Sequence, residues 1–178
     1  MNRYTQIAFV THDLERAIAS WHAIGAGPFD LLDLSALFAD PVRCPRTYRG
    51  APARDEFRIA TGFLGNNQIE IVQPTNDAPG VFREGLELRG EGQHHIQTLV
   101  CPVDAALYDA TAAGYIADGF ELMATITQAN GLRVAFFDSV SRLGFFLELV
   151  ERSPKVFQMI VDQHGRHLKR DKYPMIMK

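Results

Sequence analysis

The stretch Gln93-His94-His95-Ile96-Gln97-Thr98-Leu99-Val100 decides the fold, because it replays, with a histidine added, the opening run Gln6-Ile7-Ala8-Phe9-Val10. Gln6 falls on His95 at an offset of 89 residues. The same offset carries Leu14, Ala17, Ile18 and Trp21 onto Val103, Ala106, Leu107 and Ala110, the apolar positions of the segment after each strand. Strand and helix are therefore expected to recur in register. A second pair closes each half: Ile69-Glu70-Ile71-Val72 and Leu147-Glu148-Leu149-Val150 share one pattern at an offset of 78. The chain reads as one motif written twice, and Gln6, Glu70, His95 and Glu148 become four potential metal ligands at equivalent places.

Working outward, residues 6–11 alternate as a strand, and Leu14, Ala17, Ile18, Trp21 and Ile24 follow at helical spacing, with Asp13 as N-cap and Gly25 as the stop. Residues 29–34 form a short strand. The segment 35–54, with Pro41, Pro45 and Pro52, is irregular apart from an edge strand over 44–49. It is either a lid or binding loop, or a meandering surface connection. Residues 57–64 and 68–73 are strands joined by Gly65-Asn66-Asn67, a hairpin signal. The second half repeats the order: a strand over 94–101, a helix over 103–113, and strands over 120–127, 132–138 and 145–150, with Asn130-Gly131 as a hairpin turn.

The predicted organisation is α+β: a first βαβββ module over 1–75, a connector over 76–92 with a short helix at 81–88, a second βαβββ module over 93–151, and a C-terminal helix and tail over 152–178. The tail holds His164 and His167, with Gly165 between them and no acidic partner in sequence. It reads as a solvated tail or a dimer contact rather than a metal site.

Composition narrows the function class. With 178 residues and 47% hydrophobic content the chain can bury a substantial core. A net charge of −3 without a basic block offers nothing to nucleic acid. Cys44 and Cys101 lack metal or disulfide spacing and read as reduced thiols of a cytoplasmic protein. The start lacks a signal-peptide pattern, and no apolar run reaches the roughly 20 residues of a membrane span. The expected partner is a small molecule.

Each candidate ligand is weighed against a bland alternative. Glu70 shares its strand face with Gln68 and, taken alone, fits the wet face of a half-buried strand. Glu148 shares its face with Phe146 and Val150, which leaves a carboxylate inside an apolar strand. Such a group protonates, lines a cavity or finds a cation, because burying it ionised and unpaired costs several kcal/mol. One imidazole, one amide oxygen and two carboxylates suit a divalent ion, with zinc, nickel, cobalt, manganese and magnesium all admissible. His94 is excluded from this set, since adjacent strand residues point to opposite faces.

Paired βαβββ modules with ligands on the first and last strand of each resemble the vicinal oxygen chelate superfamily, from Thr5 to Glu151. Ile69-Glu70-Ile71-Val72-Gln73-Pro74, Asn76-Asp77, Gly92-Gln93-His94-His95-Ile96 and Leu147-Glu148-Leu149 are similar to the methylmalonyl-CoA epimerase branch, while the Gln, Glu, His, Glu set is similar to that of zinc-type glyoxalase I enzymes. The resemblance implies two βαβββ modules paired into a curved mixed sheet around a metal-binding cavity, in which Gln6, Glu70, His95 and Glu148 occupy the ligand positions, and a homodimer. It also implies an isomerase, epimerase or lyase acting on a carbonyl substrate, with Glu148, sharing the role with Glu70, as the base. Two other readings stand beside it. One is a metal-free protein that sequesters a hydrophobic compound; the other, an extradiol-type dioxygenase, is disfavoured by the single aligned histidine.

Overall fold

The computed structural model of the chain describes residues 5–100 and 104–169. The first half runs β1 (Thr5–Val10), α1 (Leu14–Ala23), β2 (Asp30–Leu32), α2 (Ser35–Phe38), β3 (Arg46–Tyr48), β4 (Ala51–Pro52), β5 (Phe57–Leu64) and β6 (Asn67–Pro74). After α3 (Val81–Arg89) the second half follows as β7 (Gly92–Val100), α4 (Ala105–Ala117), β8 (Glu121–Thr127), β9 (Arg133–Asp138), α5 (Val140–Leu143) and β10 (Phe146–Glu151), and α6 (Pro154–Leu168) ends it. Ten strands form one open, curved mixed sheet in the order β2-β5-β6-β1-β7-β10-β9-β8-β3-β4. β1 and β7 lie side by side, antiparallel, at its centre.

The register explains why the repeat was legible. β1 pairs parallel with β6, placing Gln6 opposite Gln68 and Ala8 opposite Glu70. β7 pairs parallel with β10, placing His95 opposite Phe146 and Gln97 opposite Glu148. Those are the same pairings shifted by 89 on one strand and 78 on the other. Alternation then divides the faces. Ile69 and Ile71 pack with Leu14 and Ala60 beneath α1, and Leu149 packs with Phe137, Ala135 and Tyr108 beneath α4. The opposite face carries Glu70 and Glu148, with Val72, Phe136, Phe146 and Val150 in the core shared by both halves.

The helices do not keep the strand offset. Asp13 caps α1 by accepting from the Arg16 amide, and Asp104 caps α4 by accepting from the Leu107 amide. The caps are 91 residues apart, two more than the strands, so the second helix starts two residues later on the repeat. Tyr108, Ala112 and Tyr115 take the core-facing positions, while Ala106, Leu107 and Ala110 are exposed. The cap fixes helical phase, and the loop before it has lengthened. Val103 and Cys101 lie outside the described residues, whereas Cys44 is buried and free.

Two further segments depart from expectation. The irregular segment after β2 holds α2, β3 and β4, and β3 pairs antiparallel with β8. The first half thus lends an edge strand to the second. Arg46 of β3 forms a buried ion pair with Asp55 at 2.9 Å and lies over the Phe38 ring, fastening the segment across the sheet. The C-terminal helix packs on the domain, against β5, as its amphipathic pattern suggests, but it runs on through His164 and His167, which the sequence reading assigned to a solvated tail or dimer contact. His164 hydrogen-bonds the Gly65 carbonyl; His167 accepts from the Gly65 amide and meets the Gly27 carbonyl at 2.6 Å. Both histidines bind backbone, which explains their lack of an acidic partner. No helix among the described residues is long and apolar enough to cross a membrane.

Candidate metal centre and its cavity

Gln6, Glu70, His95 and Glu148 come together at the centre of the sheet, all buried. The His95 Nε2 atom lies 3.6 Å from Glu70 Oε1 and 3.5 Å from Glu148 Oε2, yet it is buried without a hydrogen-bond partner. Gln97, which the four-residue set omits, donates its amide to Glu148 Oε2 at 2.6 Å and to Gln6 Oε1. Its signal was present in the sequence: it stands two residues after His95 and therefore on the same face.

His94 is the residue for which the alternation rule fails. Ala8 pairs with His95 and Phe9 with Gln93, so His94 is an extra residue in a β-bulge. The bulge turns its ring to the side of His95, with the two Nδ1 atoms 2.9 Å apart. His94 Nε2 lies 3.0 Å from the Val81 carbonyl. Burial, then the neighbouring His95, push the His94 pKa well down, so the ring is neutral. A carbonyl only accepts, so His94 carries its proton on Nε2 and offers a bare Nδ1. His95 must then hold a proton on Nδ1, and in its neutral form its Nε2 lone pair faces the two carboxylates. Gly85 of α3 makes room, since a Cβ there would stand 2.5 Å from the His94 ring.

The electrostatics of the two carboxylates differ. Burial pushes Glu70 up to about 7, with Glu148 adding to the rise and His95 and Arg152 opposing it. Glu148 meets the same burial, but His95 first, then the Gln97 hydrogen bond and Arg152, hold it below the ordinary value. Burial opposes a charge on His95, and Glu148 and Glu70 together outweigh it and raise its pKa. A positive charge at this point is what the surroundings favour, whether a proton or a metal ion supplies it.

The donor set fits a divalent ion. The orphaned imidazole nitrogen of His95 faces two carboxylates, and Gln97 links the Gln6 oxygen to one of them, Glu148. Among the described residues no three His, Cys, Asp or Glu side chains stand together closely enough to hold a metal ion as placed, so the fit is one of donor chemistry, with an amide as the fourth donor.

Gln6, Glu70 and Glu148 form the polar end of a cavity of about 350 Å³ whose walls include Phe38, Phe57, Phe82, Phe136, Val150 and Ile160, and His95 lies fully buried beside the two glutamates. Arg152, two residues beyond Val150 on the same strand line, also faces it. The sequence reading stopped at the end of that strand and passed over this arginine. A larger groove of about 750 Å³, lined by Leu31, Pro41, Arg54 and Arg58 among others, shares Leu32, Leu34, Phe38, Phe57 and Ile59 with the cavity but contains none of the four donors. The candidate donors belong to the smaller space, which the groove adjoins through those shared residues.

Residues 5–136 match the family model of the glyoxalase/bleomycin resistance protein/dioxygenase superfamily, a span that includes Gln6, Glu70 and His95 and ends before Glu148. No curated protein matches the chain. Among solved structures, a hypothetical protein of Bacillus halodurans C-125 is 18% identical, covering 83% of this chain and 92% of its own, with a TM-score of 0.56. The methylmalonyl-CoA epimerase of Mycobacterium tuberculosis is 20% identical over 86% and 89%, at 0.53. A variant of the Streptomyces coelicolor methylmalonyl-CoA epimerase in complex with 2-nitronate-propionyl-CoA is 20% identical over 86% and 96%, at 0.55. Identities this low establish a shared fold.

Proposed function

The chain belongs to the glyoxalase/bleomycin resistance protein/dioxygenase superfamily, and we propose that it is a divalent-metal-dependent enzyme that moves a proton next to a carbonyl group. The carrying observation is the His95 Nε2 atom, buried without a hydrogen bond between Glu70 and Glu148. Gln6, Glu70, His95 and Glu148 would hold the ion, which supplies Lewis acidity toward a substrate oxygen. Two of the structural neighbours above are named epimerases, which supports proton transfer as the reaction type.

The chain's own residues divide the remaining work. Among the described residues Glu70 has no counterpart of the Gln97 hydrogen bond that fixes Glu148, so it is the carboxylate better able to leave the ion, accept a proton and return it. Glu148, hydrogen-bonded by Gln97 and held low, stays ionised as a fixed ligand. Sequence reasoning gave Glu148 the larger share of the base role; the asymmetry of the two environments favours Glu70. The aromatic wall excludes water from a carbanion formed beside it.

The lining indicates the substrate class. Two glutamates and a divalent ion cancel, Arg152 and Asp30 add one charge of each sign, and most of the remaining wall is apolar, which favours a carbonyl compound with an apolar body against the aromatic side chains. The test is elemental analysis of protein purified without a metal-binding tag, followed by proton exchange of carbonyl compounds in deuterated water. About one ion per chain and solvent-derived deuterium next to the carbonyl are expected. No metal after addition of zinc, nickel, cobalt and manganese would overturn the reading in favour of an apolar sequestering cavity.

A further inference from the structure

A line of four buried glutamines crosses the protein from its last helix to the centre. Gln163 of α6 donates to the Thr61 carbonyl at 2.6 Å and to Asp30 Oδ2 at 3.0 Å. Gln68 donates to Gln163 Oε1 at 3.2 Å, Gln6 donates to Gln68 Oε1 at 2.9 Å, and Gln97 donates to Gln6 Oε1 and to Glu148 Oε2. Every amide points the same way.

The direction is forced at both ends. A backbone carbonyl and a carboxylate only accept, so Gln163 must turn its NH2 group toward Thr61 and Asp30. Its oxygen then faces Gln68, which must answer with NH2 and turn its own oxygen to Gln6. Gln6 must answer likewise, and its oxygen is left facing the centre. At the far end Glu148, another acceptor, holds the NH2 group of Gln97 and so agrees with this order. Reversing one amide would set NH2 against NH2 or oxygen against oxygen at a buried contact, which costs the desolvation of unpaired groups.

We propose that Gln68 and Gln163 are positioning residues that compel Gln6 to present its amide oxygen, never its nitrogen, to the metal centre. The ligand on the first strand is therefore completed by the last helix. An amide oxygen ligates a divalent cation and an amide NH2 group repels one, so the line decides whether Gln6 is a donor at all. The inference rests on the metal reading of the site, and it explains why Gln163 and Gln68 are buried polar residues at all, 3% and 2% exposed, with no contact to Glu70, His95 or Glu148 among their hydrogen bonds.

The experiment uses the full chain and cobalt(II) alone as probe, reading affinity by calorimetry and donor geometry by the visible absorption of the bound ion, with a thermal melt of each metal-free variant. Gln163→Met and Gln68→Met remove the direction without adding charge. Each is expected to weaken cobalt binding about tenfold to a hundredfold and to alter the spectrum. Gln163→Glu still accepts from Gln68 and is expected to keep the wild-type spectrum, although it faces the Thr61 carbonyl less comfortably and melts lower. If both methionine variants melt lower while affinity and spectrum stay wild-type, the glutamines are merely structural and the proposal falls, with the metal reading intact. If wild-type protein takes up no cobalt, the metal reading falls and takes this proposal with it.

Discussion

The two halves of the centre use one backbone plan and two different means of aiming a neutral donor. In the first half Gln6 stands opposite Gln68 on the neighbouring strand, and a file of amides reaches α6. In the second half His95 stands opposite Phe146, and its aim comes from His94, displaced by a bulge and hydrogen-bonded to the Val81 carbonyl. Each line of hydrogen bonds starts at a group that can only accept. The shared strands place the donor atoms, and elements outside the repeat, α3 and α6, decide which atom of each donor faces inward.

The comparison breaks most sharply at the proposed ligands. His95→Ala and Glu148→Ala are expected to lose metal by well over a hundredfold, beyond what a supporting residue costs. Gln6→Ala, which removes an uncharged donor, is expected to lose about tenfold, as read by calorimetric titration. Equal losses at all three would mean that the amide matters as much as the imidazole, and the contrast between halves would fail.

Gly85→Ala probes the second half from outside the centre. A Cβ meets the His94 ring at 2.5 Å and Phe146 at 3.3 Å, so the ring must shift. A net loss of about 1–3 kcal/mol in denaturant titration is expected, despite the better helix propensity of alanine, together with weaker metal binding. Unchanged metal affinity would show that His94 does not aim His95.

Metal-free protein is expected to lose stability as pH rises from about 5 to 8. Glu70 titrates near 7 when folded against 4.5 ordinarily, so the native state holds its proton more tightly and stability falls across that window. His95, whose pKa is raised above 6.5, acts in the same sense: its contribution is complete below 6.5 and disappears as pH passes its folded value. Glu148, lowered, contributes stability that is present above 4.5 and lost only on further acidification, outside the window. Thermal melts should show the fall, and Glu70→Gln should flatten it. An unchanged slope in that variant would place the uptake elsewhere.

The smallest effect concerns the helices. Asp13→Ala and Asp104→Ala each remove an N-cap hydrogen bond and are expected to cost about 1 kcal/mol in chemical denaturation. Similar values would support the cap-to-cap offset of 91 as the true relation between α1 and α4. A far larger loss at one cap would show that one helix depends on its cap in a way the other does not.

Sequence alone determined the strand plan and which four polar residues gather at the centre, because side-chain alternation and the repeat are local properties that recur with the backbone: 89 residues relate Gln6 to His95, and 78 relate Glu70 to Glu148. It could not determine what depends on distant contacts. The bulge at His94 breaks the period of two on which the alternation argument stood, and it arises from pairing with β1. The crossing of β3 to β8, the docking of α6 through Gln163, and the approach of Arg152 to Glu70 each join residues far apart in the chain. Such contacts exist only once the sheet has curved, when long-range packing and the pairing of buried polar groups, rather than local pattern, select the partner.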